Sequence, residues 1–375
     1  MINLLHAIDF SGPGGGETIC ARLATGLDPK KFCSRAVVPD KGWIFAELQK
    51  QGLTSLVIPM KGTRNRAYLF HLVRIIRQNR IDLVQSHFLG SNTYCSLAGL
   101  ICGVPVVSTF HGMVDCPPED RLLRYKAALI NTGSRRIVFV SGRLKEDLGQ
   151  RCHFKKSKSI VIHNGIDLPV SPPPNQGRFR QELQLDRDDI LIGSVGNLHP
   201  AKGYDILMAA AAQVVRQDRR YRFLIMGQTD GRLHGQLCHL RSELGLDHHV
   251  HFLGFHNDVS GFLREIDLFL LTSRSEGFSL ALIEAMANGV PAIATRCGGP
   301  EEIIEPGLNG WLVPVNDADA IAAAIFTLGR DKAEREQLVA GARATVRSRF
   351  SRQAMLKSYE ALYREITGHQ QPAET

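Results

Sequence analysis

The chain of 375 residues has few of the devices that declare a function at once. Its eight cysteines (Cys20, Cys33, Cys95, Cys102, Cys116, Cys152, Cys238, Cys297) are scattered and form no Cys-x-x-Cys pair. That argues against a zinc site or a disulfide framework and favours a reducing, cytoplasmic setting. No apolar run approaches the roughly 18 residues that span a bilayer. The longest, such as Ile190–Val195 and Leu268–Leu271, are strand-length. No basic segment precedes the first strand-like run, so no signal peptide is expected. Neither a fixed-period repeat nor a low-complexity segment is present. Aromatics make up 7% of the residues and are not interleaved with the basic ones, so nucleic acid is not an expected partner.

What is present describes a globular protein, 44% hydrophobic and 22% charged. The length exceeds one ordinary core and predicts two domains. The net charge of +8 is unevenly placed: residues 1–170 carry 23 Lys and Arg against 12 Asp and Glu, the remainder 22 against 25. A basic first half suits an anionic lipid surface or an anionic acceptor, although a solvated basic face would read the same way.

Short β-branched runs alternate with helical patterns from end to end. In the first half strands are predicted at 2–8, 34–38, 54–58, 82–86, 105–109, 137–141 and 159–163, with helices at 17–27, 43–51, 67–79, 92–102, 119–131 and 143–150. In the second half strands are predicted at 190–195, 222–226, 250–253, 268–271, 291–294 and 311–313, with helices at 203–216, 231–244, 259–265, 279–288 and 317–328. Such alternation reads as two parallel sheets, each covered on both faces, and so as two Rossmann-like domains. The boundary is expected within residues 164–174, where an Asn164-Gly165 turn is followed by Pro172, Pro173 and Pro174. The tail is predicted helical over 332–366. Its apolar positions Met355, Leu356, Tyr359, Leu362, Tyr363 and Ile366 fit a helix folding back across the domain junction, and residues 368–375 are expected to be disordered.

Parallel sheets bind ligands beyond the carboxyl ends of their strands, and four such junctions carry chemistry. The first, Ser11-Gly12-Pro13-Gly14-Gly15-Gly16-Glu17, lets backbone approach a ligand and aim N–H groups at it. It is neither a dinucleotide fingerprint, since Glu17 breaks the Gly-x-Gly-x-x-Gly register, nor a P-loop, since no Gly-Lys-Ser/Thr follows. The second is Thr109-Phe110-His111-Gly112, with His111 at a strand end. The third runs from Gly196 and Asn197 to Lys202 and Gly203; an ammonium hanging over a helix start suits a diphosphate. The fourth places Glu276 and Glu284 eight positions apart around a Gly277-Phe278-Ser279 break that opens a helix at Leu280, followed by Cys297-Gly298-Gly299-Pro300-Glu301. Carboxylates beside free helix N–H groups suit a ligand with an anion in the middle and hydroxyls at either side, as in a nucleotide-linked sugar.

On the glycine-rich loop (Gly14, Gly15, Gly16), the junction His163-Asn164-Gly165-Ile166-Asp167, the Gly196–Gly203 segment and above all the paired glutamates with their Glu-Ala-Met-Ala continuation, the chain resembles the retaining nucleotide-sugar glycosyltransferases of the GT-B fold, in particular glycosyltransferase family four. The resemblance runs end to end. It implies an α/β architecture of two Rossmann-like domains with a cleft between them: residues 1–165 binding the acceptor, 166–350 binding the nucleotide sugar, and 351–375 a helix returning to the first domain with a short tail. By the same resemblance Glu284 should bind the ribose hydroxyls and Glu276 the donor sugar. Gly277, Phe278, Ser279 and Leu280 should help hold sugar and phosphates, together with Gly15 and Gly196. Lys202 should bind the diphosphate, Gly16 should lie against it when the cleft closes, and His111 should sit near the anomeric centre or the sugar's 6-position. One position departs: Asn197 stands where the family commonly has Arg, and a lost charge-assisted contact costs about 1.5–3 kcal/mol.

The resemblance implies retention at the anomeric carbon, with the departing phosphate as base and no protein nucleophile. No Asp-x-Asp metal motif is found in the chain, so neither a metal nor any other cofactor is expected. The expected partners are a nucleoside diphosphate sugar, uridine favoured, and a glycan, glycolipid or small-molecule acceptor, as in cell-surface polysaccharide or lipopolysaccharide synthesis. The cytoplasmic location is extended to a peripheral one at the inner face of a membrane. Loops around 60–68, 88–93 and 112–122 are expected to select the acceptor. Two other readings remain open, a sugar-nucleotide epimerase and a non-catalytic GT-B subunit that binds nucleotide sugars.

Overall fold

The structure is a computed structural model that describes residues 1–60, 65–169, 177–229 and 231–368. Pro172 to Pro174 of the expected linker, residues 61–64 of the first loop expected to select the acceptor and residues 369–375 of the tail lie outside the described residues. The chain divides into two compact domains, one of residues 1–165 with 352–375 and one of residues 166–351.

The first domain is built on seven strands, β1 (Ile2–Ile8), β2 (Phe32–Val38), β3 (Ser55–Val57), β4 (Leu83–His87), β5 (Val106–Phe110), β6 (Arg136–Phe139) and β7 (Ser159–Val161). They pair in parallel in the order β3-β2-β1-β4-β5-β6-β7. Helices α1 (Gly15–Gly26), α2 (Trp43–Lys50), α3 (Arg66–Gln78), α4 (Leu89–Cys102), α5 (Leu123–Gly133) and α6 (Gly142–Cys152) make the crossovers. The strands are nearly continuous apolar runs because both faces are covered; Leu4, Leu5, Val37, Leu83, Val84, Val106 and Val107 are all fully buried.

The second domain opens with α7 (Arg178–Glu182) and carries six strands, β8 (Ile190–Val195), β9 (Tyr221–Met226), β10 (Val250–Gly254), β11 (Leu268–Leu271), β12 (Ala292–Thr295) and β13 (Trp311–Val313). Their order is β10-β9-β8-β11-β12-β13, again all parallel. Around them lie α8 (Tyr204–Gln217), α9 (Arg232–Glu243), α10 (Val259–Glu265), α11 (Leu280–Asn288), α12 (Pro300–Ile303), α13 (Ala318–Arg330) and α14 (Lys332–Arg349). The core packs Ile192, Phe223, Leu268 and Ile293 of the sheet against Leu207, Met208 and Ile325 of the helices.

In each sheet the strand order reverses once, between β1 and β4 and between β8 and β11, and a crevice opens at such a reversal. Three helices beside these points, α1, α4 and α8, begin without a side-chain cap, on Gly14, Phe88 and Gly203, whereas α11 is capped by Ser279. By contrast α3 is capped by Asn65, which accepts from Tyr68 N at 2.9 Å, and α6 by Ser141, which accepts from Leu144 N at 3.2 Å.

One expectation changes. Helix α1 starts at Gly15 rather than at residue 17, so Gly15 and Gly16 form its first turn; Thr18 ties back to the Gly14 carbonyl through both its N–H (2.9 Å) and its hydroxyl (2.8 Å). The helical tail parts at the expected boundary between 166–350 and 351–375. Phe350 turns inward to pack edge-on against Phe278, with ring centroids 5.3 Å apart, and its carbonyl accepts from Ile166 N at 2.9 Å. That ends α14, and α15 (Arg352–Thr367) follows as part of the first domain. Met355, Tyr359, Leu362 and Tyr363 are its buried face, as the periodicity requires. Among the described residues no helix is long and apolar enough to cross a membrane.

Candidate functional site

In the second domain the two reversal strands deliver their polar residues to one point. After β8 the chain makes a one-turn helix (Pro200–Lys202), nucleated by Pro200 and capped by His199, whose Nδ1 accepts from Ala201 N at 3.2 Å. Lys202 then lies alongside Gly196; a Cβ at that glycine would stand 3.1 Å from the lysine Cε. After β11 the chain runs through Ser273 and Arg274 to Glu276. Lys202 Nζ donates to Glu276 Oε1 at 2.7 Å, and Ser273 Oγ donates to the same oxygen at 2.6 Å.

The two loops are clamped together. Arg274 grips Asp205 with both terminal nitrogens, at 2.8 and 2.6 Å, donates to Asn316 Oδ1 at 2.8 Å, and reaches the Pro200 carbonyl at 3.1 Å. The guanidinium holds the Asp205 carboxyl below the usual carboxylate range. Thr272 Oγ1 donates to the Lys202 carbonyl at 3.0 Å. Gly203 has φ +64°, and a Cβ there would collide with the Thr272 carbonyl oxygen, so this crossing needs glycine.

Electrostatics follow from this geometry. Burial works to lower the Lys202 pKa, but the facing Glu276 carboxylate outweighs it and the net shift is upward. Lys202 is therefore a fixed ammonium, with a side chain 26% exposed against 10% for Glu276. Cys297 beside them is pushed up to about 12, first by burial and then by Glu276, and stays a thiol. Tyr204 donates to the Gly196 carbonyl at 2.7 Å.

Glu276 bridges in parallel to Gly298: its N–H donates to Cys297 O at 3.1 Å and its carbonyl accepts from Gly299 N at 3.0 Å. Gly299 lies against the backbone of Gly277 and Phe278, which a Cβ would approach to 2.8 Å. Gly277, Phe278 and Ser279 are buried, Leu280 is half-buried, and Ser279 caps α11 by accepting from Leu282 N at 3.4 Å. Glu284 stands one turn into α11, half-buried, and Asn288 closes on its carbonyl at 2.9 Å. Asn197 has work of its own: its Oδ1 accepts from Gln228 N at 3.0 Å and joins the loop after β8 to the loop after β9.

The first domain gathers a second cluster at its own reversal. Gly16 meets His111 and Phe88; a Cβ on Gly16 would sit 3.1 Å from His111 Cδ2 and collide with the Phe88 ring. His111 accepts at Nε2 or donates from it to His87 Nδ1 at 2.8 Å, with the rings stacked at 15°. The backbone N–H groups of His111 and Gly112 both donate to Asp115 Oδ2, at 2.5 and 3.2 Å. Phe88 holds φ +67°, a strained value for an aromatic residue, at the start of α4. Burial shifts every titratable group here toward its neutral form: Asp9 and Asp115 rise to about 7, Glu17 rises, and His111 falls to about 3.

Sequence reasoning did not single out His87, Asp115, Ser273, Arg274 or Asp205. His87 could have been found by the rule that found His111, since it ends β4 as His111 follows β5. The chain does hold two Asp-x-Asp triplets, Asp186-Arg187-Asp188 and Asp317-Ala318-Asp319. The carboxylates of the second serve the fold: Asp317 caps α13 by accepting from Ala320 N at 2.9 Å, and Asp319 accepts from Gln213 at 2.6 Å. Asp186 precedes β8, at the end of the sheet away from Lys202.

Two Rossmann-like domains with polar clusters at both strand reversals are the architecture of the GT-B fold. Residues 13–169 match the family described as Glycosyltransferase Family 4, and residues 175–345 match Glycosyl transferases group 1. The chain belongs to glycosyltransferase family four. It is 28% identical over 275 residues, 70% of each chain, to the UDP-Gal:alpha-D-GlcNAc-diphosphoundecaprenol alpha-1,3-galactosyltransferase of Escherichia coli. It is 25% identical over 307 residues, 79% of this chain and 77% of the other, to the N-acetyl-alpha-D-glucosaminyl L-malate synthase of Bacillus anthracis. Its fold matches Anabaena HepE, crystallised with UDP and glucose, with a TM-score of 0.87 at 22% identity over 97% of this chain and 100% of that one.

Proposed function

We propose that the chain is a retaining, metal-independent glycosyltransferase that moves a sugar from a nucleoside diphosphate sugar, a UDP-sugar in the first instance, to a hydroxyl of a glycan, glycolipid or small-molecule acceptor. The observation that carries this reading is the Lys202–Glu276 pair of 2.7 Å at the reversal between β8 and β11. One oxygen of Glu276 receives both Lys202 and Ser273, which orients the carboxylate; the ammonium has further N–H donors for phosphate oxygens. Glu276 grips sugar hydroxyls, Glu284 the ribose, and the backbone of Gly277, Phe278, Ser279 and Leu280 the phosphates and sugar, with Gly196 allowing close approach. Gly15 and Gly16 approach the diphosphate, and His111 the sugar. Catalysis is then positioning and stabilisation of the leaving diphosphate, which itself takes the acceptor's proton. Asn197 supplies no charge and is committed to Gln228, so Lys202 and the helix starts carry the diphosphate.

The name of the Escherichia coli relative pairs a UDP-sugar with a diphosphoundecaprenol-linked sugar, which supports uridine and a lipid-linked acceptor here. Thermal denaturation with a panel of nucleoside diphosphate sugars is the test, because a ligand of the folded state raises its apparent stability. UDP-sugars should raise the melting temperature most. No shift with any of them removes the donor reading. Donor isomerised without acceptor identifies an epimerase, binding without transfer a non-catalytic subunit, and an inverted product anomer refutes retention.

The first domain takes the acceptor, and its basic face meets anionic lipid at the inner surface of a membrane. Helix α3 exposes Arg66, Phe70, Arg74 and Arg77, with Phe70 65% exposed, an aromatic set among cations at helical spacing. The protein should pellet with anionic vesicles, and the bound fraction should fall at high salt and in Arg74→Glu. Equal binding to neutral vesicles refutes the electrostatic reading.

A further inference from the structure

A buried hydrogen-bond chain runs from α15 through the first sheet to His111, and its polarity can be worked out from one end. Gln85 on β4 is fully buried. Its Nε2 lies 2.8 Å from Thr109 Oγ1, 3.3 Å from the Ser86 carbonyl and 3.4 Å from His87 Nε2. A carbonyl only accepts, so the atom beside Ser86 is the amide nitrogen. The amide oxygen is left to accept from Tyr363 OH at 2.9 Å, as it does.

The amide nitrogen therefore faces His87 Nε2 at 3.4 Å. An amide nitrogen does not accept, so a proton on that ring nitrogen would find no acceptor there, and it is bare. His87 is fully buried, and burial lowers its pKa well below the ordinary value, so it is neutral and carries its single proton on Nδ1. That proton is donated to His111 Nε2 at 2.8 Å. His111 is neutral for the same reason, and with Nε2 accepting it must carry its own proton on Nδ1. His111 Nδ1 is buried and has no hydrogen-bond partner among the described residues. The chain of bonds thus ends in a buried N–H with no acceptor among the described residues.

We propose that Tyr363, Gln85 and His87 are positioning residues that lock His111 in the Nδ1–H tautomer, so that it serves as a hydrogen-bond donor to an oxygen of the sugar substrate. The proposal rests on the reading that His111 faces the sugar. It assigns a task to the closing helix: Tyr363 fixes the Gln85 amide, the amide fixes His87, and His87 fixes His111. An imidazole held in the wrong tautomer presents a lone pair where a donor is needed, which is how such outer partners govern turnover without touching substrate.

The tautomers can be read without substrate, by long-range nitrogen–proton correlation spectra of the protein carrying isotope-labelled histidine at neutral pH, with His111→Ala and His87→Phe to assign the signals. Both rings should show a proton on Nδ1 and a bare Nε2. An Nε2–H form of either, or an imidazolium, overturns the proposal, whatever the variants below do. In Gln85→Leu combined with Tyr363→Phe, which removes the amide and the phenol together, His111 should become a mixture of tautomers. Its kcat should fall about 10- to 100-fold, the scale at which outer partners act, with little change in donor KM. Released tautomers with full turnover would sever the relay from the reaction. Full turnover in His111→Ala, with the wild-type tautomers as stated, would instead refute the placement of His111 at the sugar.

Discussion

Lys202→Ala is expected to lower kcat/KM by about 10²- to 10³-fold, the loss that follows removal of one preorganised donor to a developing negative charge. The leaving group of the proposed reaction is a diphosphate, and Asn197 brings it no charge. Lys202 is a cation at the β8–β11 reversal, its ammonium held in place by the Glu276 carboxylate at 2.7 Å, while Arg274 is engaged with Asp205. The seat is shaped for a compact head group: Gly196 runs beside the stem and Glu276 closes the far side. Lys202→Arg should therefore rescue little, since a planar fork does not occupy the place of a point charge. Alanine also leaves Glu276, 10% exposed, with Ser273 as its remaining side-chain partner, a loss of about 1–3 kcal/mol in stability. Initial rates must accordingly be measured well below the variant's melting temperature. Turnover and donor affinity equal to the wild type would remove Lys202 from the diphosphate and with it the main support for the proposed mechanism.

The pieces of that site were legible in the sequence; their meeting was not. Strand-end position marked Lys202, and the Gly277-Phe278-Ser279 break marked Glu276, because both signals are local. The two residues lie 74 positions apart, and no periodicity shows that β8 and β11 become neighbours while β9 and β10 are placed to one side. The clamp of Arg274 on Asp205 was invisible for the same reason. All thirteen strands among the described residues match an expected strand, since parallel strands buried on both faces are short, apolar and flanked by turns. Helix boundaries are less legible in periodicity where tertiary bonds set them. Phe350 carries no helix-breaking tendency of its own; its ring is drawn into the core beside Phe278, and the carbonyl pairs with Ile166. Three glycines looked like a loop because glycine is a poor helix former. Packing overrides that at Gly16, where Phe88 and His111 leave no room for a side chain and the helix begins anyway.

Gly16→Val should show that constraint as a loss of activity larger than its loss of stability. A Cβ at Gly16 would overlap the Phe88 ring and press on His111 at 3.1 Å, and valine adds two methyl groups beyond it. Phe88 is the part able to yield. It stacks edge-on against Phe10, centroids 5.0 Å apart, and Phe10 is 56% exposed, so the pair can swing outward. His111 cannot follow freely, being pinned by His87 at its ring and by Asp115 at its backbone. The helix start is then pushed off the position from which its N–H groups would meet the diphosphate, and a misplacement of about 1 Å costs on the order of 10²-fold in rate. Overpacking that the surroundings can relax costs about 1–3 kcal/mol. The expected result is a protein that still unfolds cooperatively, a few degrees lower, with kcat reduced about a hundredfold. Gly14→Ala serves as the control: its Cβ would meet the Glu17 side chain, which can move aside, so both readouts should change little. If Gly16→Val keeps wild-type kcat, the glycine is there for packing alone and the first loop has no part in holding the donor.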